Sequence, residues 1–437
     1  MGERLLIVSP SAHSLGELAN AMVMAAQLPD RPITVMTSAA YADYARGAGL
    51  SVRELPRGRR AAEVVGRAVA EPDLAAVILA DHHLTALERV HFTVADLIGP
   101  APLICVDSLC LGPEGRRLEL AISQHSISPQ MRHWFPLEVH TETLPGEATL
   151  LRPVPVAGGA RGGLAFDLYG TTLRPRHGRE QTRESLGIAA DRTVIVTAMS
   201  NWAVRAMTKP HEASPTRDRD EYLRLRTRWL VELAVRLDRR ITLVSLGASG
   251  DPGTIRPAEG AGRVELVNLP GLAMDEFTDL VAAADLYLCD NLTSGAMARA
   301  ALLGTPVVAL TNEAGVWDGS DFVQGWRAEM ERVFPHFDFR YLVNPFGWVR
   351  ELDPLRTDNP YLDAVVRAPA YSLEQQVRIC TEALDSAERP ARDALVERVG
   401  TLPKVPEALE RALDPRGPST ADPHHCGQQG RQHVEHR

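Results

Sequence analysis

Lysine is almost missing from this chain of 437 residues: of 47 basic residues only Lys209 and Lys404 are lysines, and the remainder are arginines scattered along the sequence. That bias, with abundant Ala, reads as high-GC coding rather than as a binding signal. Cysteine is scarce too. Cys105, Cys110, Cys289, Cys380 and Cys426 form no C-x-x-C pair, which argues against a disulfide framework or a zinc ribbon and for reduced thiols in the cytoplasm. The 47 basic residues stand against 56 acidic ones, for a net charge of −9, so a basic nucleic-acid surface is not expected. No apolar run approaches the roughly 18 to 20 residues of a membrane span, and the first apolar stretch is broken by His13 and Glu17, so neither membrane insertion nor a signal peptide is expected. What is present, 45% hydrophobic and 24% charged residues, is ordinary for globular chains and long enough for two cores at about 100 to 200 residues per domain.

Short apolar runs alternate with helical periods. R-L-L-I-V-S is followed by a Ser/Gly loop and a helical period from Leu18 to Leu28, and further runs lie at 32–37, at L-A-A-V-I-L-A before Asp81, and at P-L-I-C-V-D, 102–107. Strands alternating with helices predict a parallel sheet, and apolar continuity within each strand predicts that both faces are covered. A second set has runs at 193–199, 241–247, 263–267, 285–290 and 305–311, with helices around 219–237, 274–283 and 295–303. Gly304, before Pro306, suits a left-handed helix C-cap. The fold class expected is α/β, with two doubly wound Rossmann-like domains facing a cleft. The Gly/Arg-rich stretch divides them. An N-terminal domain is expected over 1–156, a linker over 157–190 joining independently cored units, a C-terminal domain over 191–413, and a disordered Pro/Gly/Gln/His tail over 414–437. The C-terminal unit includes an aromatic-rich segment, 317–348, whose rings serve either a core or a stacking surface, and closing helices around 372–386 and 391–412.

In doubly wound domains ligands gather outside the carboxyl ends of the strands. The loops there carry S-A-H-S-L-G-E, D-H-H at 81–83, S-N-W at 200–202 and D-N-L-T-S-G at 290–295. The last precedes a helix whose first N–H groups lack acceptors, so Asn291, Thr293, Ser294 and Gly295 either cradle a diphosphate or simply cap the helix. His13 is the candidate general base, with Asp81 to orient it and Asp107 as the alternative carboxylate. The ordinary roles of these groups are backbone hydrogen bonding and helix capping. His82, His83 and His91 lack metal-ligand spacing, so no metal is expected.

The segment V-E-L-V-N-L-P-G-L-A-M-D-E-F-T-D-L-V-A-A-A-D-L-Y-L-C-D-N-L-T-S-G-A-M-A-R-A-A-L-L-G-T-P-V-V-A-L-T resembles the nucleotide-binding half of two-domain GT-B glycosyltransferases. S-A-H-S-L-G-E is similar to the Gly-His loop of that family, and P-D-L-A-A-V-I-L-A-D-H-H and P-A-P-L-I-C-V-D to its later N-terminal strands. The resemblance covers roughly residues 4–110 and 190–315. It implies an acceptor-binding N-terminal domain, a nucleotide-sugar-binding C-terminal domain and a glycosyltransferase moving a sugar from a nucleoside diphosphate donor to a small-molecule acceptor, and the high-GC composition adds the expectation of specialised metabolism. It further implies His13 and Asp81 as catalytic, and Ser200, Asn201, Asn268, Asn291, Thr293, Ser294, Gly295 and Arg299 as nucleotide-sugar-binding. With His13 as base the transfer inverts configuration. No cofactor beyond the donor and no metal is implied; the partners are the acceptor and the nucleotide sugar, without nucleic acid, and a homodimer is left open. Arg299 departs from the pattern, standing where many such transferases place a ribose-binding Glu, and it either meets a phosphate or is solvated. The competing readings are a nucleotide-sugar 2-epimerase and a non-catalytic GT-B-like scaffold that activates a partner enzyme.

Overall fold

The structure, a computed structural model, describes residues 3–12, 15–82, 85, 92–108, 117–121, 139–154, 163–170, 172–198, 219–247, 255–257, 262–290, 294–311, 318–333, 359–386 and 390–414. The opening apolar run forms β1 (Arg4–Ser9), followed by α1 (Leu15–Ala26), β2 (Ile33–Ser38), α2 (Ala42–Gly47), β3 (Ser51–Leu55), α3 (Arg60–Val69) and β4 (Leu74–Leu79). A 3-10 turn at Val94–Leu97 precedes β5 (Leu103–Val106), and β6 (Arg117–Ala121) and β7 (Val139–Thr143) pair with each other antiparallel. Then come β8 (Thr149–Val154) and β9 (Leu164–Asp167). The first sheet is parallel with order β3-β2-β1-β4-β5-β8-β9, so the chain reverses its winding between β1 and β4. Both faces are covered, which is why β1 is apolar at successive positions. Leu5 and Ile7 pack with Leu18, Ala21 and Met24 of α1, while Leu6 and Val8 pack with Val65 and Ala68 of α3.

The second unit begins with α4 (Arg179–Ser185) and β10 (Thr193–Ala198) and continues through α5 (Arg219–Arg236), β11 (Ile241–Leu246), β12 (Ile255–Pro257), β13 (Val264–Leu269), α6 (Met274–Ala283) and β14 (Leu286–Cys289). After β14 follow α7 (Gly295–Leu303), β15 (Val307–Thr311), α8 (Asp321–Val333), α9 (Pro360–Asp363), β16 (Val366–Pro369), α10 (Leu373–Asp385), α11 (Pro390–Gly400) and α12 (Val405–Leu413). Its order is β12-β13-β11-β10-β14-β15-β16, parallel except for the edge strand β12, with the winding reversal between β10 and β14. The α/β expectation of two doubly wound units holds. Gly304 has φ 86°, the left-handed cap expected of it, and Thr305 follows with its N–H on Ala300 O at 3.0 Å. No helix among the described residues is long and apolar enough to cross a membrane.

The boundary differs from the linker expected over 157–190. Leu164–Asp167 is the seventh strand of the first sheet, and its outer side is closed by returning chain: Asp167 N–H donates to Pro403 O at 2.9 Å, and Lys404 Nζ reaches Asp167 Oδ2 at 2.6 Å. Residues 179–185 already belong to the second unit, where Arg183 Nη2 donates to Asp285 Oδ2 at 2.6 Å beside β14. Nor are the cores independent. One apolar cluster runs from α1 through Phe166, Leu168 and Tyr169 to Met297 and on to Leu395, Val399 and Leu409 of α11 and α12. The helix expected over 391–412 is two helices, because Pro403 has no N–H to continue α11 and the chain there pairs with Asp167. From the aromatic-rich segment the described Phe322 and Trp326 are core: Trp326 packs edge-on to Trp229 with centroids 4.9 Å apart. The tail beyond Asp414 lies outside the described residues.

Candidate active site

At the carboxyl end of β1, Glu17 bends back from the first turn of α1 and is 2% exposed. Its Oε2 accepts from Ser9 Oγ at 3.0 Å and from Ser11 N–H at 2.9 Å, and Ser11 O accepts from Ser38 Oγ at 3.0 Å. Sequence reasoning missed Glu17, although a Glu in the first turn after a Ser-rich loop was a usable signal. His13 lies outside the described residues, as does any pairing of it with Asp81. Asp81 itself is buried at the end of β4, its carboxylate accepting from the Ser108 hydroxyl. The alternative carboxylate, Asp107, pairs with Arg152 at 3.5 Å beneath the β5 and β8 ends, both side chains buried. His82 is fully buried with Nδ1 3.1 Å from Val106 O, so Nδ1 carries the hydrogen and the ring serves the fold.

In the second unit the chain turns into α7 just past the carboxyl end of β14. Ser294 is the N-cap, its Oγ accepting from Met297 N–H at 3.3 Å. Two tyrosines hold the carbonyl side of this turn: Tyr361 OH donates to Ser294 O at 3.4 Å and Tyr169 OH to Gly295 O at 3.0 Å. The N–H groups of Gly295 and Ala296 have no intrahelical acceptor and lie at the positive end of the helix dipole. One turn along, Arg299 is 5% exposed, which disposes of the solvated alternative. Its guanidinium lies 5.3 Å from the centre of the Tyr169 ring, and among the described residues no carboxylate pairs with it. Burial raises the Tyr169 phenol pKa, with the Arg299 charge opposing, so the phenol stays neutral near pH 7. The same two influences act on Tyr44, whose OH donates to Leu272 O at 3.0 Å and ties α2 to the segment before α6.

Asn268, near the end of β13, keeps a buried Oδ1 that accepts no hydrogen bond from the described residues. Ser294, Gly295 and Arg299 are thus brought together on α7, while Asn268 stands three strands away from β14 in the same sheet. Ser200, Asn201, Asn291 and Thr293 lie outside the described residues. Tyr169, Tyr361 and Tyr44 were not found from sequence, because nothing in their local patterns signals a contact 60 to 230 residues distant.

Compared with known proteins, residues 24–417 match the model of DUF6365, described as a family of unknown function. The chain belongs to that family. No curated protein matches it by sequence. Among solved structures it is similar to the spinosyn rhamnosyltransferase SpnG, with 16% identity, 94% of this chain and 99% of that chain covered, and a TM-score of 0.50. SnogD, a glycosyltransferase from Streptomyces nogalater, is 14% identical over 94% and 99% of the two chains with a TM-score of 0.44. The glycosyltransferase SsfS6 from Streptomyces sp. SF2575 is 11% identical over 93% and 99% with a TM-score of 0.42. At these identities the likeness is one of fold, and the fold is GT-B.

Proposed function

We propose that this protein is a glycosyltransferase that moves a sugar from a nucleoside diphosphate donor to a small-molecule acceptor in specialised metabolism. The observation that carries the reading is the start of α7. Two unsatisfied helix N–H groups and a buried guanidinium without a carboxylate partner among the described residues converge there, and a buried cation of this kind is costly unless an anion joins it. A diphosphate satisfies both. During transfer the C1–O bond to the diphosphate breaks, and the charge developing on the leaving oxygen is met by the Gly295 and Ala296 N–H groups and by Arg299. Ser200 and Asn201, which follow β10 in the sequence, and Asn291 and Thr293, which precede α7, complete the diphosphate cradle, and Asn268 serves the nucleoside. His13 takes the proton of the acceptor nucleophile as its bond to C1 forms, with Asp81 orienting the imidazole. This single displacement inverts C1, and no metal takes part. The protein works in the cytoplasm.

The test is a thermal-shift panel of GDP, UDP, dTDP and ADP, since a ligand that binds only the folded chain raises its melting temperature. One diphosphate is expected to shift the transition by several degrees, and no shift with any of the four would refute the reading. Incubation with nucleotide sugar alone separates an epimerase, which would turn over without acceptor.

A further inference from the structure

Three phenols are buried around the start of α7, and only two of them are spent on it. Tyr169 and Tyr361 hold the carbonyls of Gly295 and Ser294. The third is Tyr287, the second residue of β14, in register with Val196 of β10 and Val307 of β15 and packed in the same apolar cluster as Met297 and Tyr361. It is fully buried, and its hydroxyl makes no hydrogen bond among the described residues. A buried hydroxyl without a partner costs stability, and a phenylalanine would fill the same space without that cost. The oxygen therefore calls for a role other than packing.

What the phenol faces is the N-cap. The Ser294 side chain lies beside the Tyr287 hydroxyl without closing a hydrogen bond to it. Burial, with Cys289 and Asp290 adding to it, raises the Tyr287 pKa well above the ordinary tyrosine value, and the opposing pull of Ser294 and Arg226 is smaller. The phenol keeps its proton and can act as a donor. Ser294 Oγ offers two lone pairs and one hydrogen. One lone pair accepts from the Met297 N–H at 3.3 Å, which leaves the second for the phenol hydrogen. With both lone pairs taken, the serine hydrogen needs an acceptor of its own. An anion ahead of the Gly295 and Ala296 N–H groups, which have no intrahelical acceptor, supplies it.

We infer that Tyr287 is a positioning residue for the donor diphosphate: its phenol donates to Ser294 Oγ, and the Ser294 hydroxyl, so oriented, donates to a phosphate oxygen. Hydrogen bonds in series polarise one another, so the serine becomes the stronger donor, and no proton changes hands. Tyr287 acts from within the core and does not itself touch the ligand. The inference rests on the nucleotide-sugar reading above.

The experiment is calorimetry on the full chain with GDP, UDP, dTDP and ADP, paired with thermal unfolding of the same variants without nucleotide. For the diphosphate that binds the wild-type chain, Tyr287→Phe is expected to weaken affinity about three- to tenfold, the worth of one hydrogen bond. Its melting temperature without nucleotide should stay level or rise, because an unpaired buried hydroxyl is gone. A phenol that served only the fold would give the reverse, an unchanged affinity and a lower melting temperature. Ser294→Gly keeps the helix start nearly as well capped and removes the link, so adding Tyr287→Phe to it should cost no further affinity. Affinity in Tyr287→Phe within about twofold of wild type, the same loss repeated on the Ser294→Gly background, or a Tyr287→Phe chain that does not fold overturns the inference. If none of the four diphosphates binds the wild-type chain, the nucleotide-sugar reading fails and the inference falls with it. Wild-type binding that Tyr287→Phe leaves intact fails the inference alone.

Discussion

Asp167 is the residue on which the geometry between the two sheets turns, and its replacement makes a quantitative test. Its carboxylate is 5% exposed at the residue level, and Oδ1 accepts the N–H groups of Tyr169 and Gly170, both at 3.0 Å. Oδ2 takes the Lys404 ammonium, but that side chain is 38% exposed, so the pair is screened and contributes at most about 0.5 kcal/mol. In Asp167→Ala the buried Tyr169 N–H loses a charged acceptor at about 1 to 3 kcal/mol and the half-buried Gly170 N–H loses one at less than that, for an expected loss of about 2 to 4 kcal/mol. Asp167→Asn retains an acceptor at Oδ1 and should cost about 1 kcal/mol, and Lys404→Met less than that. Because Tyr169 follows in the same turn and carries the contacts to Gly295 and Arg299, Asp167→Ala should also weaken diphosphate binding, whereas Lys404→Met should not. The assay is urea unfolding followed by circular dichroism, paired with calorimetry. If Asp167→Ala costs no more than Lys404→Met, the hydrogen-bonded turn is not what holds this junction.

Gly170 has φ 49°, and a Cβ there would stand 2.1 Å from Gln27 Oε1, so Gly170→Ala must displace Gln27 from its 2.6 Å bond to Leu168 O; a melting temperature lowered by a few degrees is expected, and an unchanged one contradicts the contact. Burial pushes the Asp279 carboxyl up, but the His177 side chain at 2.8 Å and the N–H groups of Arg176 and His177 outweigh it and hold the pKa below the usual aspartate value. Its contribution is therefore complete above about pH 4 and lost as pH falls through the depressed folded value, so Asp279→Asn should cost about 1 to 2 kcal/mol at pH 6 and progressively less as pH falls below about 4 in a pH series of urea unfolding. His13→Ala should lower turnover by about 10² to 10⁴ with nucleotide affinity unchanged, and a turnover within threefold of wild type removes His13 from the mechanism. Asp81→Asn should cost less, and the two losses should not add.

The legible part of the fold was its interior. β1, β4, β10, β11 and β14 are apolar at nearly every position because helices cover both faces, and a run such as L-A-A-V-I-L before a turn is too short for a buried helix and too apolar for an exposed edge. β3, S-V-R-E-L at the sheet edge, buries only Leu55 fully and carries charge, so it has neither continuity nor alternation to betray it. β9 is four residues beside a Gly-rich stretch, and Phe166 is buried by α11 and α12, which lie more than 220 residues later. In the site, residues in loop-to-helix motifs such as Ser294 and Gly295 could be read locally. Tyr169 and Tyr361 could not, because their roles come from tertiary packing: Tyr361 meets the start of α7 only once the second unit has folded, and Tyr169 only once the first sheet also packs against it.

The claim that the start of α7 binds the donor diphosphate is tested most directly by Ser294→Asp. Aspartate is as good an N-cap as serine, so the bond to the Met297 N–H and the helix should survive, while the new carboxylate stands where the phosphates would sit. Calorimetry with the diphosphate that stabilises the wild-type chain should show affinity reduced at least tenfold, about 1.4 kcal/mol, with the melting temperature of the unliganded protein nearly unchanged. Equal affinity in Ser294→Asp and wild type would contradict the assignment.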